Sequence, residues 1–348
     1  MTGELTDRAR TVLHYVVRDF IETATPIGSR YISKRHESEL GLSSASIRNV
    51  MSDLEGMGFI SHPHTSAGRI PTDTGYRFYV DSLMEVERLS RLEEKTIKEN
   101  LDQADDSSDL LRECARVLGR ISHQLCMVSP PRLNTGTLDK LELVPLMGNR
   151  IMVIISIKSG LVRTLTMEVA SEIRREKLEE MARFLNERLS GLTLEEIQKT
   201  FAERLRDAQN EDTGLIRLFI DSVDKLFVSP KTDKLLIAGA EQLLSQPEFS
   251  HPENFRSIIE LINDEEMIIH VLEKCEAPPH EVRVLLGKEH ANQKLSPFSV
   301  VGTTYTIGDV TGTIGVLGPK RMPYSRLIPL VDFVAQAVSE LFSNSQRT

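Results

Sequence analysis

A chain of 348 residues with 40% hydrophobic residues is long enough for two or three domains and an ample core. Its three cysteines, Cys114, Cys126 and Cys275, occur singly with no C-x-x-C, and no apolar run approaches membrane-spanning length; a soluble, cytoplasmic protein with reduced structural thiols is expected, not a disulfide scaffold or an exported chain. The formal net charge is −9, yet residues 1 to 80 hold nine Arg/Lys against nine Asp/Glu, leaving 33 against 42 in the remainder, so the negative excess does not exclude a nucleic-acid contact at the amino-terminal end.

From Leu5 to Ala24 the apolar residues Ala9, Val12, Leu13, Val16, Val17, Phe20 and Ile21 recur at helical spacing, with Thr6 and Asp7 as candidate caps and Thr25-Pro26 as the stop. A second short helix is expected from Ser29, with Ile32 facing inward, and residues 38 to 44, containing Gly41, form the turn into a third. That third helix, capped by Ser43 or Ser44, carries Ile47, Val50, Met51 and Leu54 as one apolar stripe. Its opposite face carries Ala45, Asn49 and Ser52, with Arg48 and Asp53 at the edges. Small hydrogen-bonding groups in place of Lys and Glu suit a DNA groove better than bulk water. Phe59-Ile60 and Arg69-Ile70 are expected to pair around a polar loop that includes His62 and His64, and Thr72 to cap a further helix through Met84. The whole segment reads as a winged helix-turn-helix. A competing reading is a small helical domain whose third helix packs on another protein. His62 and His64, at i and i+2 around a proline with no third ligand nearby, make a poor zinc site.

Candidate base contacts are Arg48 and Asn49, because Arg matches guanine and Asn adenine bidentately. Ser44, Ser46 and Ser52 are candidates for phosphates or bases, Arg30, Lys34 and Arg35 for phosphates, and His64 and Arg69 for anchoring the wing.

Residues 85 to 104 read as a charged connecting helix, and Leu110 to Met127 as another helix stopped by Pro130-Pro131. Strand-like runs at Leu138 to Pro145, Arg150 to Ile157 and Leu161 to Val169 form a meander, followed by an amphipathic helix from Ile173 to Leu189. Thr193-Leu-Glu-Glu196 is a capping box opening a mostly helical stretch with Leu194, Ile197, Phe201 and Leu205 as a packing seam and Leu235 to Ala240 as a strand. Strand character resumes at Val282 to Leu286, Phe298 to Tyr305 and Gly312 to Leu317, so residues 191 to 277 look inserted into one α+β domain. Gly308, Gly312, Gly315 and Gly318 lack phosphate-loop or dinucleotide spacing, Asp309 has no assured partner in Glu281 or Glu289, and Lys320, Arg321 and Arg326 read as a solvated basic turn. No acid, base or nucleophile constellation emerges; no enzyme activity, cofactor or metal is expected.

The runs Leu42-Ser-Ser-Ala-Ser-Ile-Arg-Asn-Val-Met-Ser-Asp-Leu-Glu55, Ser66-Ala-Gly-Arg-Ile-Pro-Thr-Asp-Thr-Gly-Tyr-Arg-Phe-Tyr-Val-Asp81 and Gly315-Val-Leu-Gly-Pro-Lys-Arg-Met-Pro-Tyr324 closely resemble the HrcA family of bacterial heat-inducible transcription repressors. The resemblance implies an α+β multidomain chain: a winged-helix DNA-binding domain over residues 1 to 84, a connecting helix over 85 to 104, a GAF-like domain in two parts, 105 to 190 and 278 to 348, and a mostly helical dimerising domain with a small sheet inserted at 191 to 277. It further implies a dimer on double-stranded DNA at the inverted-repeat operator CIRCE, upstream of the chaperonin and DnaK operons. Chaperonin would keep the repressor competent, and heat shock would relieve repression by diverting that chaperonin. The alternative is a ligand-gated regulator sensing a small molecule in the GAF-like domain.

Overall fold

The computed structural model describes residues 5–63, 68–104, 106–171, 173–205, 213–227, 235–250, 252–278, 280–290 and 292–345. They fall into two compact units: Met1–Val128 with Leu236–Thr304 and Thr313–Ala337, and Ser129–Leu235 with Tyr305–Gly312 and Val338–Thr348. Mixed helix and sheet in more than one unit is the expected α+β class.

Helix α1 (Asp7–Thr23) starts where the Thr6 hydroxyl accepts the Ala9 amide at 3.3 Å, and it buries Val12, Leu13, Val16 and Val17. Ala24, left-handed at φ 54°, ends it. Helix α2 (Ser29–Arg35) buries Ile32, as its position predicts. The stretch read as a plain turn contains one further helical turn, α3 (Glu37–Leu40), closed by Gly41 at φ 57°, whose amide donates to the Glu37 carbonyl at 3.0 Å. Helix α4 (Ser44–Gly56) follows, then strands β1 (Ile60–Ser61) and β2 (Ile70–Pro71). The hairpin pairs Ile60 with Pro71 and Ser61 with Ile70, one residue later than the sequence pattern suggests. Three bonds cause the slip: the Phe59 carbonyl accepts the Thr72 amide at 3.0 Å, and Arg69 pairs instead with Ile27 through two bonds of 2.8 Å.

Thr72 caps helix α5 (Asp73–Ser82) by accepting the Gly75 amide at 3.2 Å. Gly75 packs so tightly that a Cβ there would lie 2.1 Å from the Phe59 carbonyl oxygen. That neighbour is backbone already bonded to Thr72, so it has little freedom to move. Gly75→Ala is therefore expected to destabilise the residue 5–82 head by about 1–3 kcal/mol, the usual cost of overpacking, visible as a lowered urea midpoint.

Residues 84–90 are not helical, and the Glu87 amide donates to the Ser325 carbonyl at 3.0 Å. Helix α6 (Arg91–Leu101) begins only at a Ser90–Glu93 capping box. Helix α7 (Ser107–Ser122) stops at left-handed His123, and the predicted end of that helix is instead strand β3 (Leu125–Val128), four buried residues in sequence. A fully buried apolar run does not distinguish strand from helix by period, which explains the misreading.

In the second unit β4 (Leu138–Leu146), β5 (Arg150–Ile157) and β6 (Val162–Glu168) form the expected antiparallel meander. Helix α8 (Arg175–Leu189) buries Leu178, Met181, Leu185 and Leu189, and its Asn186 side chain bonds both the amide and the carbonyl of Leu141 at 2.7 Å. The Thr193–Glu196 capping box opens α9 (Leu194–Arg204), and Leu194, Ile197, Phe201 and Leu205 are all buried. Helices α10 (Thr213–Asp221) and α11 (Val223–Phe227) complete it, with Phe227 5.4 Å from Phe201 between ring centres.

The chain continues through β7 (Leu236–Ala238), α12 (Ala240–Leu244), α13 (Pro252–Asn263), α14 (Glu265–Lys274), β8 (Arg283–Leu286), β9 (Phe298–Ile307), β10 (Val310–Pro319) and α15 (Tyr324–Ser345), which belong to the first unit except for the ends of β9, β10 and α15 that fall within Tyr305–Gly312 and Val338–Thr348. Its sheet has the order β7-β3-β10-β9-β8, with Cys126 opposite both Ala238 and Val316. This pairing divides the stretch 191–277 that the pattern treats as one insertion: residues 236–238 lie beside β3, whereas the described residues from 191 to 227 belong with the meander. The three cysteines are buried, and burial pushes the Cys275 thiol up to about 12, so these are packing groups without thiolate character. Among the described residues no helix is long and apolar enough to cross a membrane.

Candidate nucleic-acid interface

The amino-terminal head presents α4 as its outer helix. Ser43 caps it, accepting the Ser46 amide at 3.2 Å, and Ile47, Met51 and Leu54 are buried beneath it. With that face fixed inward, Ala45, Arg48, Asn49, Ser52 and Asp53 are all exposed. Among the described residues Arg48 and Asn49 have no hydrogen-bond or ion-pair partner. Their five guanidinium donors and one carboxamide fork are thus available to a groove.

Two of the candidate serines have local work. Ser44 Oγ lies 3.3 Å from Ser29 Oγ, and Ser46 Oγ lies 3.1 Å from Ser43 Oγ; both residues are half-buried. The first contact brings the start of α2 against the start of α4, so exposed Arg30 stands near the exposed face of α4, and exposed Lys34 follows one turn later. Neither cation has a partner among the described residues. Arg35 differs: its guanidinium is held by Glu22 at 2.5 Å and by the Tyr31 hydroxyl.

At the wing, Arg69 Nη2 is 2.7 Å from Glu55 Oε2, and His62 Nδ1 bonds the other oxygen of the same carboxylate. Glu55 belongs to α4, so this carboxylate clamps the hairpin to that helix. Arg69 is thereby turned partly toward the protein. His64 lies outside the described residues. The hydrogen bond from His62, aided by the charge of Arg69 and opposed by partial burial, holds the Glu55 carboxyl below the usual glutamate range. A depressed carboxylate contributes its clamp above the unfolded pKa and loses it as pH falls through the folded one. A carboxyl carbon-13 titration should give Glu55 a midpoint below that of an exposed peptide glutamate, moving back up in His62→Ala; an unchanged midpoint contradicts the clamp.

Under the head, Asp19 is fully buried on α1, with Oδ2 2.9 Å from His36 Nε2 and Oδ1 3.8 Å from Arg35 Nε. The His36 ring stacks on Tyr15, centroids 3.9 Å apart, and the Tyr15 hydroxyl donates to Glu39. This polar cluster fastens α1 to the α2–α3 corner, and its partners lie too far apart in sequence to be paired by pattern.

Other sequence candidates fall elsewhere. Asp309 accepts the Thr137 amide at 2.5 Å and Glu289 binds Arg77, so each has its own structural partner. Gly308 is the hairpin turn at φ 58°, and a Cβ on Gly312 would meet the Tyr305 ring at 2.4 Å, both packing roles. The basic turn is solvated only at Arg326, which is exposed; Lys320 and Arg321 are half-buried, and Lys320, Arg321 and Arg326 pair with Asp73, Glu248 and Glu93 at 2.6, 2.6 and 2.7 Å. Sequence reasoning missed Asp73 and Arg77 altogether, although both stand in one of the distinctive motif runs.

Residues 108–328 match the family model described as the HrcA protein C-terminal domain. The chain is 42% identical to the heat-inducible transcription repressor HrcA of Chlorobium phaeobacteroides (strain BS1), over 99% of this chain and 100% of that protein. It is 44% identical to the HrcA repressor of Prosthecochloris aestuarii (strain DSM 271 / SK 413), over 99% of each. Among solved structures, the crystal structure of a hypothetical protein covers 98% of this chain and 100% of its own, at 26% identity and a TM-score of 0.58.

Proposed function

The chain belongs to the HrcA family of heat-inducible transcription repressors, a family of regulators and not of enzymes, and from that premise we propose that it acts as a dimer on the CIRCE inverted repeat, holding down the chaperonin and DnaK operons. In this reading α4 of each subunit enters the major groove of one half-site. Arg48 and Asn49 read base edges. Ser44, Ser46 and Ser52 stand at the same helix, Arg30 and Lys34 engage phosphates, and the hairpin with Arg69 and His64 flanks the backbone. The observation that carries it is the exposed Arg48–Asn49 pair, without a partner among the described residues, on a helix that buries Ile47, Met51 and Leu54 and half-buries Val50 on its other face.

The charge of the head explains why a dimer is needed. Nine basic and nine acidic residues in the first 80 give no general attraction to DNA. Each neutralised phosphate contributes a log-log salt slope of about −0.9, so one head with few phosphate contacts binds weakly at physiological salt. Two heads on a symmetric site double the contacts and add half-site spacing as a criterion. Relief by heat follows if chaperonin sustains the competent fold: a change of about 1.4 kcal/mol in folding free energy alters the folded-to-unfolded ratio tenfold.

Fluorescence anisotropy of the full chain, across a salt series with and without chaperonin, tests this against an inverted-repeat CIRCE duplex and a scrambled one. Binding to the repeat alone, increased by chaperonin, is the expected result. Equal weak binding to both duplexes under every condition contradicts the operator reading.

A further inference from the structure

Two of the motif runs that mark this chain stand 247 residues apart in sequence and meet in space. The Asp73 carboxylate, at the first turn of α5, receives Lys320 Nζ on Oδ1 at 2.6 Å and the Lys288 backbone amide on Oδ2 at 3.2 Å. Gly287, at φ 49°, completes the seat: a Cβ there would lie 2.5 Å from Asp73 Oδ2, so a larger residue would push the carboxylate out. One turn along α5, Arg77 Nε donates to Glu289 Oε1 at 2.8 Å while Nη2 donates to the Val284 carbonyl at 2.6 Å and to Glu289 Oε2. Between these pairs, buried Tyr76 meets buried Tyr324 edge to face at 6.3 Å. On the α1 side, Arg321 is held by both oxygens of Glu248, at 2.6 and 3.2 Å, and its Nη1 donates to the Ile21 carbonyl at 2.6 Å.

We infer that the head is docked on the sheet-bearing body in one fixed orientation, and that Asp73 and Arg77 are positioning residues which set the half-site spacing the repressor accepts. The inference rests on the dimer-on-inverted-repeat reading above. None of these side chains lies on the recognition face, and a flexible tether could reach half-sites at many separations. A head clamped at two points of α5 and at the end of α1 cannot rotate to follow the DNA. One added base pair turns a half-site by about 34° and moves it by about 3.4 Å, so a fixed head must distinguish spacers. Polar seats suit this task, because they define orientation through the direction of each hydrogen bond.

The test uses the full chain and two body-side substitutions, Lys320→Gln and Glu289→Gln, which leave the head's own residues intact; Asp73→Asn is the head-side counterpart. Each is titrated against inverted repeats with spacers changed by one and two base pairs and against a duplex carrying one half-site. The unsubstituted chain should discriminate between spacers by about tenfold or more, while the variants fall to about threefold or less with single half-site affinity within about twofold. Variants that keep the original spacer preference overturn the inference. A parallel loss of single half-site affinity also overturns it, since the contacts would then only support the fold. If the unsubstituted chain itself shows no preference for the repeat over one half-site, the operator reading fails and takes this inference with it.

Discussion

Replacing Arg48 and Asn49 together by alanine is expected to lower affinity for the inverted repeat by roughly a thousandfold while leaving the melting temperature unchanged. Each side chain that reads a base edge bidentately contributes about 1–3 kcal/mol, and a dimer loses four such contacts; even the lower bound gives about 4 kcal/mol. Stability should hold because both residues are exposed on α4 and have no partner among the described residues; substitutions of that kind usually change stability by less than about 0.5 kcal/mol. Anisotropy and thermal melts on the same preparation separate the two effects. A double variant that binds within about threefold of the original chain would mean that another surface meets the DNA.

Asp19→Ala should have the opposite signature, a large loss of stability that carries binding down with it. Asp19 is fully buried and 2.9 Å from His36 Nε2, with the guanidinium groups of Arg35 and Arg18 at 3.8 and 4.0 Å. Deleting the carboxylate strands the buried His36 ring without its partner, which costs about 3–5 kcal/mol, whereas the partly exposed side chains of Arg35 and Arg18 turn to water. Against a typical total of about 5–15 kcal/mol, that is a large share of the stability. Urea unfolding followed by circular dichroism gives the value, and a double-mutant cycle with His36→Ala assigns it: the second substitution should add little once the first is made. A single-variant cost under about 1 kcal/mol would show that the cluster is incidental.

The head was the most legible part of the chain because its signals are local. Ser43 before the Ile47, Met51 and Leu54 spacing marks both the start and the inner face of α4, and the exposed face follows by subtraction. Thr193 and Glu196 mark the start of α9 for the same reason, since a capping box is written within four residues. What depended on distant partners was lost. Leu125–Val128 continues the apolar pattern of α7 and becomes a strand only because β7 and β10 flank it. The hairpin register slipped by one because Ile27, far upstream, takes the backbone of Arg69. Lys320 looks like a solvated cation until Asp73 is placed beside it. Within the candidate interface, sequence identified Arg48 and Asn49 as outward-facing. It gave no hint that Glu55 would engage Arg69 and His62.

Whether α4 reads bases is decided by a base-by-base competition scan. Every pair of one half-site is substituted in turn, symmetrically in both halves, and the relative affinities are measured for the unsubstituted chain and for Asn49→Ala. The unsubstituted chain should lose about 1–3 kcal/mol per half-site at a small set of adjacent positions, and Asn49→Ala should erase the preference at one of them, an adenine, and preserve it at the rest. A profile identical in the two proteins, or one weakened evenly at every position, would contradict the placement of α4 in the groove.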